Sequence, residues 1–430
     1  MPKKKRGPNK LEDLTGEHFT YKKTAVHGFP TGPSALAYEP DLRLLAIGTT
    51  SGELRVYGRP GVEFSARMKP KRAILKIFTF GNLHQFLTVA SDNSISMWII
   101  TNDEDGRLSL RHDRRYELST EAGKNITSCC VSGVVGYVHI GTDGGNVYTL
   151  DLKSFELTND VIFWNNATAL AQPAAQTHPG AVKSLELCPT DPNKLLIGYE
   201  LGLIALWDLE NTLPTRNYPG TMTEQLTPVE ALAWHPGGRK FMSSHSNGII
   251  MSWNEGHNSK DERLPVNRYG DNCCPITKLS WLDSESDPMV VFSGGLPEEA
   301  SGDHHTVSIH HGANAVALAF TSEIVGFVTI SHPVTYKGEV LLILAQYELL
   351  AFDLTDPKCP ILRQPYLHPL NSSNVTTMKV YQNCSQALFD KLKDVSKRHT
   401  SEKYSQMEWP VMGGFVKDSV PKTHDILITG

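Results

Sequence analysis

Four groups of residues in this chain have the types and spacing that chemistry requires. Gly48-Thr-Thr-Ser-Gly52 gathers glycines and hydroxyls as a phosphate-cradling loop does. Such a loop needs Lys-Ser or Lys-Thr after its last glycine, at the start of a helix. Here Glu53-Leu-Arg-Val-Tyr57 follows, an alternating strand with Leu54 and Val56 on one face and Glu53 and Arg55 on the other. Ser243, Ser244 and His245 place a nucleophile beside a base, but they occupy a hairpin position that recurs elsewhere in the chain. The run HHTVSIHH carries His304, His305, His310 and His311. On a regular strand His304 and His310 share a face about 20 Å apart, too far for one zinc shell with bonds of about 2 Å. Finally, Lys3, Lys4, Lys5, Arg6 and Lys10 form a basic tail suited to acidic lipid or an import receptor, each charge contributing about 1 kcal/mol near an anionic membrane. The plainer reading of that tail is a solvated terminus. Carboxylates are scattered without a paired acid–base constellation, and no catalytic residue, metal or cofactor is expected.

The elements that position these residues are repeats. LLAIGTTSGELRVY (44–57) aligns with segments ending at Trp98, Leu150, Trp207 and Trp253, and more weakly with one holding a long insert (MVVFSGG…HHTVSIH) and one ending at Phe352. A small residue closes the first strand of each: Gly48, Ala90, Gly141, Gly198, Ser244, Ser293, Ala345. A polar turn follows, as in Ser51-Gly52, Asp92-Asn93, Gly144-Gly145 and Asn247-Gly248, where Gly or Asn accepts the positive φ of a tight hairpin. The next strand ends on a large apolar residue, Tyr57, Trp98, Leu150, Trp207, Trp253 or Phe352, with Asp151, Asp208, Asn254 or Asp353 directly after four of them. A further apolar strand precedes each of the first six units, at 34–40, 73–80, 125–132, 181–189, 229–236 and 276–283. Antiparallel meanders repeating at roughly 40–57 residues predict an all-β, WD40-like propeller of seven blades. The glycines of GTTSG are then hairpin punctuation, and Trp98, Trp207 and Trp253 are packing residues rather than a stacking platform.

Bulk properties agree. The chain has 430 residues, 40% hydrophobic and 20% charged, and a formal net charge of −5, which gives nucleic-acid binding no electrostatic support. No stretch has the roughly 18 apolar residues of a membrane span, and the basic start lacks the apolar core of a secretory signal. Seven cysteines without a C-x-x-C pair argue for reduced thiols. Adjacent Cys129-Cys130 and Cys273-Cys274 should point to opposite faces of their strands. The expected organisation is a basic tail over 1–20, the propeller over 21–375, and over 376–430 a loop or helical insertion followed by the start of a further blade. NVTTMKV begins that blade, and HDILITG at the chain's end supplies its small column without the closing strand, as in a chain cut inside a blade.

The segments 21–64 (YKKTAVHGF…GRPGVEF), 195–209 (LLIGYELGLIALWDL), 290–309, 318–327, PYLHPLNSS (365–373) and EWPVMGG (408–414) resemble the lethal giant larvae family of WD-repeat proteins, with tomosyn as the neighbouring branch. The resemblance runs from about Thr20 to Gly430. It implies the first of two seven-bladed propellers and a non-enzymatic scaffold of cell polarity and polarised exocytosis. The implied partners are the atypical protein kinase C–Par6 complex, non-muscle myosin II and syntaxin-type SNAREs, and the implied location is the cytoplasm, the cell cortex and cytoskeleton and the plasma-membrane periphery. Alternatives are a tomosyn-type SNARE-binding inhibitor of vesicle fusion, or a regulator or activator of small GTPases. The family's kinase-target serines and tomosyn's SNARE-like coil belong to regions outside this sequence. The Gly-His and turn Asp of standard WD40 units are mostly missing, so the blades should lean on apolar packing. Contact residues are expected in loops: the insertions at about 154–178, 254–275, 295–304 and 383–424, with Trp164 in the first. GRPGVEF (58–64) has no counterpart in other repeats, and Arg59 is its expected exposed group. Within 383–424, Leu388, Phe389 and Leu392 fall on one side of an expected helix.

Overall fold

The computed structural model describes residues 15–19, 28–80, 84–102, 108–118, 124–132, 136–171, 177–219, 227–256, 260–263, 273–282, 288–297, 305–368, 375–400, 404–414 and 423–430. They form a seven-bladed propeller in which every blade is an antiparallel meander with strands in sequence order. Blade 1 comprises Pro33–Glu39, Leu44–Thr49, Glu53–Tyr57 and Glu63–Arg67, and blade 2 Ile74–Phe80, Gln85–Ala90, Ser94–Asn102 and Leu108–Glu117. Blade 3 comprises Ile126–Ser132, Tyr137–Thr142, Val147–Asp151 and the two-residue Glu156–Leu157, and blade 4 Val182–Leu187, Lys194–Tyr199, Ile204–Asp208 and Leu213–Tyr218. Blade 5 comprises Val229–Trp234, Lys240–His245, Ile250–Asn254 and Lys260–Arg263, and blade 6 Lys278–Leu282, Met289–Ser293, His305–His311 and Asn314–Phe320. Blade 7 has three strands, Ile324–Ser331, Gly338–Ala345 and Leu349–Asp353. Beyond it, Met378–Ser385 pairs with Thr423–Thr429, and a helix spans Gln386–Thr400.

The molecule has no single core. Buried apolar residues fall into seven clusters, one at each junction between successive blades. This explains why both faces of the inner strands are apolar: each face is covered by a neighbouring blade. The second strand of blade 1, Leu44–Thr49, is buried at every position. Cys129 belongs to the junction of blades 2 and 3, while Cys130 belongs to that of blades 3 and 4, so adjacent thiols do face opposite ways. All seven cysteines are free thiols.

The small-residue column has a packing cause. A Cβ at Gly48 would lie 2.6 Å from Ile74 Cγ2, one at Gly141 2.5 Å from Val182 Cγ1, and one at Gly198 2.9 Å from Val229 Cγ1. Each glycine leaves a hole that the first β-branched residue of the next blade fills. In blade 5 Ser244 takes the role and its Oγ donates to the Ile276 carbonyl at 2.8 Å. The column is therefore the socket through which one blade sets the position of the next. The turn column behaves as sterics require: Gly52 has φ 77° and Asn93 φ 61°. The acid after the closing aromatic builds a turn of its own. Asp208 Oδ1 accepts from the backbone N–H of Glu210 and Asn211, both at 2.9 Å, and Asp353 Oδ1 accepts from that of Thr355 at 2.9 Å. Tyr57, Trp98, Trp207 and Trp253 are all buried.

Candidate functional site

The Ser243–His245 pair has hydrogen-bonding geometry, Oγ to Nε2 at 2.9 Å. It is nevertheless a core contact. The Trp253 indole N–H donates to Ser243 Oγ at 2.8 Å, so the hydroxyl proton goes to His245 Nε2, and His245 Nδ1–H donates to the Thr227 carbonyl at 3.0 Å. Both residues are buried, and burial holds the imidazole below its ordinary pKa against the backbone acceptors that favour its charge. A carbonyl stands where a triad would have a carboxylate. Blade 2 repeats the motif more simply, with Trp98 Nε1 donating to Thr88 Oγ1 at 2.9 Å. A tryptophan–hydroxyl bond thus supplements apolar packing inside these blades.

His304 lies outside the described residues, as do Lys3, Lys4, Lys5, Arg6 and Lys10. His305 is exposed at the start of its strand, and His310 packs edge-on against Phe292. Among the described residues no group of three or more His, Cys, Asp or Glu side chains could hold a metal ion.

Three segments singled out by resemblance meet in space. GRPGVEF turns from the third into the fourth strand of blade 1, residues 365–368 follow blade 7, and EWPVMGG returns over both. The Arg59 N–H donates to the Gly413 carbonyl at 2.9 Å, and the Gly413 N–H to the Arg43 carbonyl at 3.0 Å. Tyr366 Oη donates to the Gly58 carbonyl at 2.6 Å and accepts from Trp409 Nε1 at 3.1 Å. Tyr57 stacks on Tyr366 with ring centres 5.9 Å apart. Trp409 and Val411 join the apolar cluster between blades 7 and 1, and Ser405 Oγ donates to Asp353 at 2.5 Å. Burial acts to raise the Asp353 pKa, but the donors Ser405 and Thr355 outweigh it and hold the carboxyl below its ordinary value. Residues 404–414 lie past the expected propeller limit at 375, yet they seal the ring. Arg59 is half-buried there, its Nε 3.4 Å from the Met412 carbonyl. The neighbouring Arg55 is 2% exposed, held by Glu53 at 3.5 Å and Glu63 at 3.7 Å and donating to the Gly28 carbonyl. The polar face of that strand is thus covered at Arg55 and only partly open at Glu53.

Lys76, Glu186 and Lys278 sit on the first strands of blades 2, 4 and 6 and influence one another's charge. Residues on alternate blades can do so only across the central channel. Burial raises the Glu186 carboxyl to about 7 against the pull of both lysines. Burial, then Lys76, lower the Lys278 ammonium to about 8, with Glu186 opposing. Lys278 touches open space, but the surrounding protein screens it poorly, and that sets its titration.

The junction of blades 3 and 4 differs from the sealed seam. The outer strand of blade 3 stops after Leu157. The chain pairs once more with blade 3 through Ile162 and Val147, and residues 159–161 stand off the ladder. A cleft of about 750 Å³ opens there, walled by His139, Asp160, Phe163, Asn193, Trp207 and Glu210. Its depth is polar: His139 is 3% exposed, with Nδ1 3.1 Å from Thr149 Oγ1, and burial lowers its pKa to about 4. Trp164 opens a single helical turn, Trp164–Ala167, half-buried against the His178 ring at 4.9 Å. The adjacent Phe163 is the outward ring, 51% exposed. Sequence reasoning named Trp164 in this loop, the more sheltered of its two aromatics. It did not single out His139, Asp160 or Glu210, which lie in three different loops and strands without any common spacing.

The family model described as LLGL2 matches residues 265–360. Over 97% of its length the chain is 33% identical to "Lethal(2) giant larvae protein" of Drosophila pseudoobscura pseudoobscura, covering 36% of that protein. It is 31% identical over 97% of its length to "LLGL scribble cell polarity complex component 2" of Homo sapiens and covers 42% of it. It is 32% identical over the same share to "Lethal(2) giant larvae protein homolog 1" of Rattus norvegicus, again covering 42%. The chain thus spans about two fifths of the length of these curated relatives.

Proposed function

Because this chain belongs to the lethal giant larvae family, we propose that it serves in cell polarity as a non-catalytic scaffold that offers a rigid propeller to protein partners. The observation that carries this reading is similarity along 97% of the chain to a relative named as a component of the scribble cell polarity complex. The fold agrees with it. Seven interblade cores hold the sheets rigidly and leave loops and blade edges as the variable surface. No helix among the described residues is long and apolar enough to cross a membrane; the cortical location proposed here rests on contacts with protein partners. The proposed partners are the atypical protein kinase C–Par6 complex, non-muscle myosin II and syntaxin-type SNAREs, with the basic residues Lys3 to Arg6 as a further contact for acidic lipid.

The test is immunoprecipitation of the tagged chain from polarised epithelial cells, with blotting for the three partner groups and imaging of the tag. Recovery of at least one group and enrichment at the cortex is the expected result. Uniform cytosolic fluorescence with none of the three recovered would overturn the proposal. So would robust turnover of nucleotide, ester or peptide substrates by the purified chain.

A further inference from the structure

The charged side chains that line the cleft between blades 3 and 4 are of one sign. Asp160 and Glu210 both line it, and no lysine or arginine among the described residues does. The nearby Lys194 is already committed, with Nζ 2.6 Å from Glu255 and 3.6 Å from Asp191. The Asp160 carboxylate has no partner among the described residues. Glu210 uses one oxygen, which accepts from Asn193 Nδ2 at 3.1 Å, and keeps the other unpartnered among them. Acidic side chains at a surface would mean little alone. Here they share the cavity with a buried polar side chain. His139 is 3% exposed, and only its Nδ1 has a partner among the described residues. Its Nε2 is not among the enclosed side-chain atoms left without a partner, so it is open to the cleft and to any polar group that enters there. The remaining lining mixes neutral polar side chains such as Asn193 and Thr212 with apolar ones: Trp207 and Ile162 are buried side chains of the floor, and Phe163 stands half-exposed at the rim.

We infer that this cleft is a docking site for a basic side chain, arginine or lysine, carried on an extended segment of a partner protein. The cationic head meets Asp160, Glu210 and the inner face of the ring. The aliphatic stem lies along Trp207 and Ile162, as long basic side chains cover apolar surface while their heads stay polar. Phe163 covers the flanking residue of the segment. The cavity falls within the roughly 300–1,000 Å³ of ligand sites, so it holds one long side chain together with neighbouring backbone. Residues 159–161, displaced from the blade, leave room for that backbone. The inference stands apart from the polarity reading, because a cleft with these walls selects a basic side chain whichever protein supplies it.

The probe is a fluorescein-labelled pentapeptide, Gly-Leu-Arg-Leu-Gly, with lysine and citrulline counterparts, titrated against the full 430-residue chain by fluorescence polarisation. Citrulline keeps the shape of arginine without its charge. The arginine and lysine peptides should bind saturably, and the citrulline peptide about ten-fold more weakly. The double variant D160N/E210Q should lose about ten-fold for the charged peptides and nothing for citrulline. Phe163→Ala should weaken all three peptides. These three positions are exposed, and an unchanged melting temperature confirms that the variants fold. Equal affinity for arginine and citrulline, no effect of D160N/E210Q, or no saturable binding of either basic peptide would each overturn the inference. If the basic peptides fail to bind while polarity partners are still recovered from cells, this inference alone falls.

Discussion

Two interblade junctions of this propeller have opposite fates. Between blades 7 and 1, the turn of blade 1 meets two segments from 308 or more residues further along the chain, and they converge on two glycines. A Cβ at Gly58 would run into the Gly413 carbonyl, and one at Gly413 into that of Leu42. Between blades 3 and 4, an outer strand two residues long leaves a cavity lined by polar and acidic side chains. The seam carries the distinctive motifs, and the cleft carries none. A motif such as GRPGVEF is therefore specific because backbone meets backbone, where few residue types fit. A recognition cleft built from side chains on separate loops imposes no such local restriction.

The comparison can be broken most sharply by removing a large side chain from each junction. Trp409→Ala, at 6% exposure and bonded to Tyr366, should cost about 3–5 kcal/mol in denaturant unfolding. Phe163→Ala, at 51% exposure, should cost less than about 0.5 kcal/mol. Similar losses would show that the return segment does not seal the ring.

A second test acts on the floor of the cleft through pH. His139 titrates near 6.5 when unfolded and about 4 when folded. Between those values the unfolded chain binds the extra proton, so the contribution of neutral His139 is complete above pH 6.5 and is lost as pH falls toward 4. The wild type should lose on the order of 3 kcal/mol relative to His139→Gln across that window. His245, shifted the same way, is common to both chains and cancels. Parallel stability–pH curves for the two proteins would mean that the cleft floor is well solvated.

The smallest effect belongs to the seam's backbone contact. Gly58→Ala forces the carbonyl of Gly413 away and should cost about 1–3 kcal/mol. Glu210→Gln at the cleft should leave the melting temperature unchanged. A neutral Gly58→Ala would mean that the two glycines approach less closely than the geometry shows.

Much of the propeller was legible because the blade repeat imposes the same physical demand again and again. Gly48, Gly141 and Gly198 recur because each must admit a β-branched residue of the next blade. Asp208 and Asp353 recur because each starts the turn into the blade's outer edge. The outer strands were harder to read. Leu108–Glu117 is mostly exposed and carries charge, so it lacks the apolar run that marks an inner strand. Tyr366 and Trp409 stood inside recognised segments, but nothing local shows that they touch across 43 residues. In the cleft, Asp160 and Glu210 look like any other solvated acids.

By itself, then, the sequence determined the meander, the number of blades, the small and aromatic columns and the absence of a phosphate loop at Gly48–Gly52. Each follows from local sterics or from burial repeated at a constant period. Tertiary structure alone decided that residues 404–414 close the ring, that Arg55 is buried between two glutamates, and that His139 shares a cleft with two carboxylates. Those outcomes depend on which loops the circle of blades brings together, and closure of a ring leaves no period in the chain.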